Sequence, residues 1–209
     1  MHARSTTFRG DPRALDAGIA HVRDDALPAV LRLEGCVGLS MLVDRLSGRC
    51  IVTSSWEDAE AMQRSAEAIG GIRDTLARTL EGAVDEAEVA EWEVGVLHRV
   101  LGTPAHAAAR VIHTKGPLGA SDRIIYGFRT NIVPRIDDLA GFCSVSLFVN
   151  RENGRCVITS VYEDRQTMNR AKGQAQAMRG EFTLHMGMHV TDVAEFEVVL
   201  ARLRVPETV

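Results

Sequence analysis

Apolar and polar positions alternate along four short stretches in the first half of the chain, and this period-two pattern predicts strands. The predicted strands are 3–9, 36–45, 49–56 and 88–98. After the first strand, Asp11 and Pro12 are typical of a helix N-cap and first helical position. We expect Pro28 to end or kink that helix, because proline lacks the backbone N–H and crowds the preceding turn.

A second helix is predicted after the third strand, with Asp58 as its N-cap. Its apolar positions Met62, Ala66 and Ile69 recur at helical spacing. We expect the pair Gly70-Gly71 to interrupt this helix, because glycine weakens a helix interior. Each half therefore has the predicted order βαββαβ.

The same pattern occurs twice. When the chain is shifted by 106 residues, residues 33–64 align with 139–170 without a gap, and 14 of the 32 positions are identical. Asp164 then caps the second copy of the second helix, and the last strand falls at 192–202. We interpret the chain as a first half (1–100), a linker (101–107) and a second half (108–209).

A βαββαβ unit places two helices on one face of a four-stranded antiparallel sheet and leaves the other face uncovered. Two such units in one chain can cover each other's open faces. The predicted fold class is therefore α+β, with tandem duplicated ferredoxin-like halves that form an intrachain dimeric α/β barrel. This internal pseudo-dimer leaves open whether the protein also forms a further homo-oligomer.

Composition and charge exclude several classes of function. The 209 residues are 45% hydrophobic and 25% charged, with a net charge of −4, so no basic surface for nucleic acid is expected. No apolar run is long enough to span a membrane, and the N-terminus lacks the apolar segment of a secretory signal, so we expect a cytoplasmic protein. The four cysteines match no zinc spacing, and no glycine-rich phosphate loop occurs, so neither a metal nor a cofactor is expected.

The sequence around the central hairpin carries a family resemblance. The pattern L-E-G-C-V-G, then D-R-L-S-G-R, then W-E-D-A-E-A resembles the antibiotic-biosynthesis-monooxygenase type of dimeric α/β barrel. The dipeptide that opens the second helix in that family corresponds to Trp56-Glu57 and, in the second copy, to Tyr162-Glu163. The resemblance implies a fused dimer. It also implies a role among cofactor-free oxygenases, haem-degrading enzymes, isomerases or proteins of unknown role.

The haem-degrading branch of this family has an asparagine on strand one, a tryptophan at the end of strand three and a histidine on helix two. Trp56 matches the tryptophan, but neither copy of helix two contains a histidine, and neither copy of strand one contains an asparagine. Haem binding is therefore the least favoured interpretation.

Two aromatic and two hydroxyl side chains are candidate ligand-binding groups. Trp56 and Tyr162 are expected to close the helix side of the sheet, where the pockets of the family lie, and Ser54 and Ser160 share that face. The alternative is purely structural: the aromatic rings belong to the core, and the hydroxyls bond to helix backbone. Tyr162 is also a candidate catalytic group, because its hydroxyl can exchange a proton.

His113, on strand one of the second half, is the other candidate acid or base, and the alternative interpretation, which the sequence favours, is a hydrogen-bonded strand histidine. The run His185–His189 has histidine and methionine, which suit copper, but we interpret it as part of an irregular stretch before the last strand.

Glutamates recur on the last strands, as Glu91 and Glu93 and again as Glu195 and Glu197, and they suggest either a carboxylate pair or structural ion pairs. The arginines expected to reach them lie in the hairpins. They are Arg45, Arg49, Arg151 and Arg155.

These observations favour a protein that binds a small hydrophobic or aromatic molecule, with a cofactor-independent oxidation as the activity that the resemblance implies. The alternative is a non-enzymatic ligand-binding or assembly module. Because His113 and Tyr162 replace Thr7 and Trp56 of the first copy, we expect the halves to differ in ligand binding, with the site in the second half. The alternative is neutral drift in two filled cores.

Overall fold

A computed structural model describes residues 1–82 and 86–203 of the chain. The strands are β1 (His2–Arg9), β2 (Cys36–Val43), β3 (Arg49–Trp56), β4 (Glu88–Arg99), β5 (Ala108–Lys115), β6 (Phe142–Val149), β7 (Arg155–Tyr162) and β8 (His189–Leu203). The α-helices are α1 (Leu15–His21), α2 (Leu27–Val30), α3 (Ala59–Arg64), α4 (Ala66–Thr79), α5 (Ser121–Gly127), α6 (Val133–Ile136), α7 (Arg165–Arg170) and α8 (Lys172–Met186). Strands and helices follow the predicted βαββαβ order in each half.

The eight strands form a closed barrel with the hydrogen-bonded order β1-β3-β2-β8-β5-β7-β6-β4. Within each half, the first and second strands both pair antiparallel with the third. This confirms the predicted α+β class with ferredoxin-like halves.

The chain divides into two compact units, and the boundaries between them fall inside β4 and β8. Among the described residues, one unit comprises Met1–Trp92 and residues 197–203, and the other comprises Glu93–Phe196. In the first unit, β2 pairs with the end of β8, from Glu197 to Leu203. In the second, β6 pairs with β4 from Glu93 onward. Strand two of each half thus pairs with strand four of the other.

Glycine is required at the turn of each central hairpin. Gly48 and Gly154 have φ values of +72° and +70°, in the left-handed region that favours glycine. A Cβ at either position would also collide with a backbone oxygen, that of Gly10 or Gly116. The glycine of the repeated Gly-Arg-Cys motif is therefore required by the backbone conformation of the turn.

The first helix of each half continues for two residues past its proline, so the predicted end does not fall at the proline itself. A π-helical turn, Val22–Ala26, precedes Pro28, and the Leu27 N–H donates to the carbonyl of Val22, five residues back. The second half repeats this arrangement with the turn Phe128–Ile132. The wider turn relieves the crowding that a proline ring imposes on a regular α-helix.

Gly70 and Gly71 do not interrupt the second helix, because α4 runs through both of them. A Cβ at either position would meet no atom within 4 Å, so these glycines occupy open helix positions. The break lies instead at Ser65, between α3 and α4, where the Ser65 hydroxyl donates to the Met62 carbonyl (2.7 Å). The packing of Leu76 and Ala77 in the core compensates for the low helix propensity of the pair.

Among the described residues, no helix is both long enough and apolar enough to cross a membrane.

The pairing of β2 with β8 predicts the behaviour of the first half alone. A fragment of residues 1–100 lacks the β8 segment that pairs with Gly38–Val43, and so exposes an unpaired, largely buried strand. We expect this fragment to associate or aggregate, measured by light scattering against the intact chain. A stable, monomeric fragment would contradict the inferred dependence on β8.

Candidate functional site

A cavity of about 340 Å³ lies in the second unit, between the helices and the face of the sheet that they cover. Its walls are mainly apolar, with Ile112, Phe128, Ile132, Ile158 and Phe182 among the lining residues. A smaller set of polar groups also lines it. These are Arg110, Ser160, Tyr162, Lys172, Gln176, Arg179 and Glu195. An apolar cavity with a few convergent polar groups is typical of a small-molecule site.

Strand alternation explains which side chains reach the cavity. Arg110 and Ile112 are two residues apart on β5, so both point to the helix side. Ser160 and Tyr162 do the same on β7. The π-helical turn Phe128–Ile132 contributes both of its terminal side chains to the opposite wall. The helix irregularity therefore shapes the cavity, in line with the frequent occurrence of π-turns at functional sites.

Tyr162 is almost completely buried, and its ring makes an edge-to-face contact with Phe142 at a centroid distance of 6.2 Å. Burial raises the pKa of the Tyr162 hydroxyl, and the positive charge of Arg110 opposes this only in part. The hydroxyl is therefore protonated at neutral pH and is suited to donate a hydrogen bond.

Arg110 is buried, with 5% of its surface exposed, and its Nη2 lies 2.9 Å from Glu195 Oε1. Arg165 approaches the other carboxylate oxygen of Glu195 at 3.5 Å. Sequence reasoning paired this glutamate with hairpin arginines and missed Arg110. The repeat aligns Ala3-Arg4 with Ala109-Arg110, so the sequence shows that this arginine recurs but not which residue it pairs with.

The hairpin arginines pair instead with the glutamate two residues further along each last strand. Arg151 binds Glu93 and also Asp122, and Arg45 binds Glu197 at 2.8 Å. The expected hairpin arginines therefore bind one glutamate of each recurring pair, Glu93 and Glu197. Because these five side chains are substantially exposed, we assign them a minor structural role.

The equivalent space in the first unit is almost filled. A cavity of about 40 Å³ remains there, beside Arg4 and Ser54. The Trp56 indole N–H donates to Ser54 Oγ at 3.1 Å, and the Ser54 hydroxyl donates to the carbonyl of Arg4 at 3.4 Å. Ser54 therefore bonds to strand backbone and a neighbouring ring, rather than to the helix backbone considered from the sequence.

One pair of aligned residues explains part of the difference in volume. Ile69 packs against the cluster of Trp56, Ala61 and Met62 in the first unit. The repeat places Ala175 at the same position in the second unit, where it lines the cavity beside Tyr162. Alanine lacks three of the side-chain carbons of isoleucine, so space remains next to the tyrosine.

The structure does not bring His113 and Tyr162 together. His113 lies on β5 between Ile112 and Thr114, and alternation points it to the sheet face opposite Arg110 and Ile112. Tyr162 and Ser160 line the cavity, whereas Trp56 is buried in the core of the first unit.

The run His185–His189 is not an irregular stretch. His185 belongs to α8, Gly187 ends that helix in a left-handed conformation, and His189 begins β8. Both histidines are exposed, while Met186 and Met188 are buried, so the two residue types face different environments. Within residues 1–82 and 86–203, no cluster of histidine, cysteine and carboxylate groups is suited to a metal.

Comparison with known sequences shows two similar proteins of Mycobacterium tuberculosis H37Rv. The uncharacterized protein Rv2557 is 41% identical over 209 residues, which is 100% of this chain and 92% of that protein. The uncharacterized protein Rv2558 is 42% identical over 210 residues, covering 100% of this chain and 88% of that protein. No protein-family model matches the chain.

Solved structures share the fold at low sequence identity. A proposed monooxygenase from Lactobacillus acidophilus NCFM has a TM-score of 0.68 at 13% identity, with 97% of this chain and 96% of that chain covered. An anthrone oxidase-like protein has a TM-score of 0.64 at 13% identity, with coverages of 97% and 93%. The chain therefore has the dimeric α/β-barrel fold of monooxygenase-type proteins, as the resemblance implied.

The contrast between Ile69 and Ala175 predicts opposite effects of two substitutions. Ile69→Ala should lower the free energy of unfolding by about 2 kcal/mol, because it opens space in a filled core. Ala175→Ile should change it by less than about 1 kcal/mol, because the added methylenes enter an existing cavity. Urea unfolding measures both. An equal loss of stability in the two variants would contradict the assigned cavity.

The raised pKa of Tyr162 predicts a pH effect. In a Tyr126→Phe variant, where Tyr162 is the remaining tyrosine, the absorbance step at 295 nm should come above about pH 10, the ordinary tyrosine value. Because the folded-state pKa is raised, the unfolded chain ionises first, and stability falls as the pH rises past about 10. Adding Tyr162→Phe should remove this contribution; an unchanged alkaline stability profile would argue against it.

Proposed function

The chain belongs to the same family as the Mycobacterium tuberculosis proteins Rv2557 and Rv2558, and we propose that it binds a small hydrophobic or aromatic molecule in the cavity beside Tyr162. The observation that carries this proposal is the difference between the units. The second unit holds a cavity of about 340 Å³, and the aligned space in the first holds about 40 Å³. The larger volume lies at the lower end of the usual range for small-molecule sites, roughly 300–1,000 Å³.

The lining supports an aromatic ligand with an oxygen substituent. Phe128, Phe182 and the isoleucines supply apolar surface for a planar ring. Ser160 and Tyr162 supply hydroxyl groups, and the Tyr162 hydroxyl retains its proton. A phenol or ketone oxygen on the ligand would accept a hydrogen bond from this tyrosine.

We further propose that the ligand is oxidised by dioxygen without a cofactor. In such a reaction on an anthrone, the ring CH₂ group becomes a carbonyl. One atom of O₂ goes to carbon, and the other leaves as water with the two hydrogens. The substrate supplies all the electrons. The protein then needs only to exclude water and to position the substrate oxygen, and we assign the second task to Tyr162.

A second candidate function is ligand binding without catalysis. It is favoured by Glu195, the carboxylate in the cavity lining, which already pairs with Arg110 and Arg165. Both carboxylate oxygens of Glu195 are thus already engaged by arginine side chains. Oxygen consumption distinguishes the two candidates.

The binding proposal is tested by calorimetry with 2-naphthol as the probe. We expect Ala175→Ile to weaken binding about tenfold or more, because the larger side chain occupies the space next to Tyr162. Ile69→Ala, the matched change in the first unit, should leave the affinity unaltered. If instead Ile69→Ala weakens binding and Ala175→Ile does not, the site is in the other unit.

The oxidation proposal is tested with anthrone and an oxygen electrode, in the presence of a chelator. We expect oxygen uptake with formation of anthraquinone, and about a hundredfold slower turnover in Tyr162→Phe. His113→Ala should retain activity, because His113 lies on the opposite sheet face. Uptake no faster than the protein-free blank, together with retained binding, would favour the non-catalytic candidate.

A further inference from the structure

The buried arginines of the two units have different hydrogen-bond partners. In the first unit, Arg4 Nη1 donates to Ser65 Oγ at 3.2 Å, and Nη2 donates to the Met62 carbonyl at 2.9 Å. Its Nε and Nη2 also bind Glu91, at 3.0 and 2.8 Å. All three guanidinium nitrogens of Arg4 therefore have acceptors.

Arg110 occupies the same place in the second unit but has fewer partners. Its Nε and Nη2 both donate to Glu195 Oε1, at 3.3 and 2.9 Å. Within the described part of the chain, Nη1 has no acceptor. The sequence explains this difference, because the repeat places Ala171 where the first unit has Ser65.

The surroundings of Arg110 favour a negative ligand. Arg110 is buried and lines the cavity, so its unpaired N–H groups have access to a bound molecule. Lys172 and Arg179 line the same cavity, and neither forms an ion pair within residues 1–82 and 86–203. Their counterparts in the first half are Ala66 and Arg73, and Arg73 is already paired with Asp74.

We propose that Arg110 binds a carboxylate group of the ligand, so that the cavity selects small aromatic carboxylic acids. This inference rests on the proposed ligand-binding function. The guanidinium group is planar and donates in a fixed geometry that fits a carboxylate. A buried guanidinium with unused donors gains more from a charged acceptor than from a neutral one. Lys172 and Arg179 add positive charge around the same space.

The test compares 2-naphthoate with 2-naphthamide, which has nearly the same shape but no charge. The intact protein should bind 2-naphthoate about tenfold more tightly, as expected for one charge-assisted hydrogen bond. Ala171→Ser should remove most of this preference while leaving 2-naphthamide affinity unchanged, because the new hydroxyl accepts from Arg110 as Ser65 does from Arg4. Ser65→Ala, the matched control, should leave both affinities unchanged.

A second variant tests the role of Arg110 without leaving an unpaired charge that could prevent folding. In Arg110→Gln with Glu195→Gln, both charges of the buried pair are removed together, so no unpaired charge is left in the interior. This variant should also lose the preference for 2-naphthoate. Equal affinities for the two probes in the intact protein, or an undiminished preference in this variant, would overturn the role of Arg110. Absence of binding by both probes and by 2-naphthol would instead reject the ligand-binding function on which the inference rests.

Discussion

An ion pair between a buried arginine and a partly exposed glutamate, present in each unit, is the constraint on which the rest of the structure depends. Arg4 pairs with Glu91, and Arg110 pairs with Glu195, so each pair joins the first strand of a half to its last. The guanidinium groups are buried while the glutamates are partly exposed, so loss of the glutamate would leave a charged arginine in the interior without its partner. The pairs therefore connect the two strands and place a positive group on the sheet face that the helices cover.

The residues that surround this ion pair differ between the two units. In the first unit, Ser65, the Met62 carbonyl and Glu91 satisfy the arginine, and Trp56 and Ile69 fill the space around it. In the second unit, Ala171, Tyr162 and Ala175 stand at the corresponding positions, and a cavity remains. A few substitutions in one copy thus separate a filled core from an open cavity, while the strand pairings are retained.

Helix geometry contributes to the same difference. Both halves have a π-helical turn before a proline, and in both units residues of this turn line the space above the sheet. The turn arises from the backbone demands of proline, because a regular α-helix would crowd its ring. The terminal residues of the π-helical turn are Val22 and Ala26 in the first half, and Phe128 and Ile132 in the second. The turn of the second half therefore contributes a phenylalanine ring to the wall of the cavity.

The sequence by itself determined the repeat, the strands, the helix caps at Asp58 and Asp164 and the ferredoxin-like order, because these follow from side-chain period and local backbone chemistry. It also indicated that Ser160 and Tyr162 share one face. Only the tertiary structure paired Arg110 with Glu195, because partners 85 residues apart leave no periodic signal. It alone placed His113 and Tyr162 on different sides of the sheet, since the two residues lie on different strands whose register is set by packing. The volume of the cavity likewise depends on how the side chains of several elements meet, which no single segment encodes.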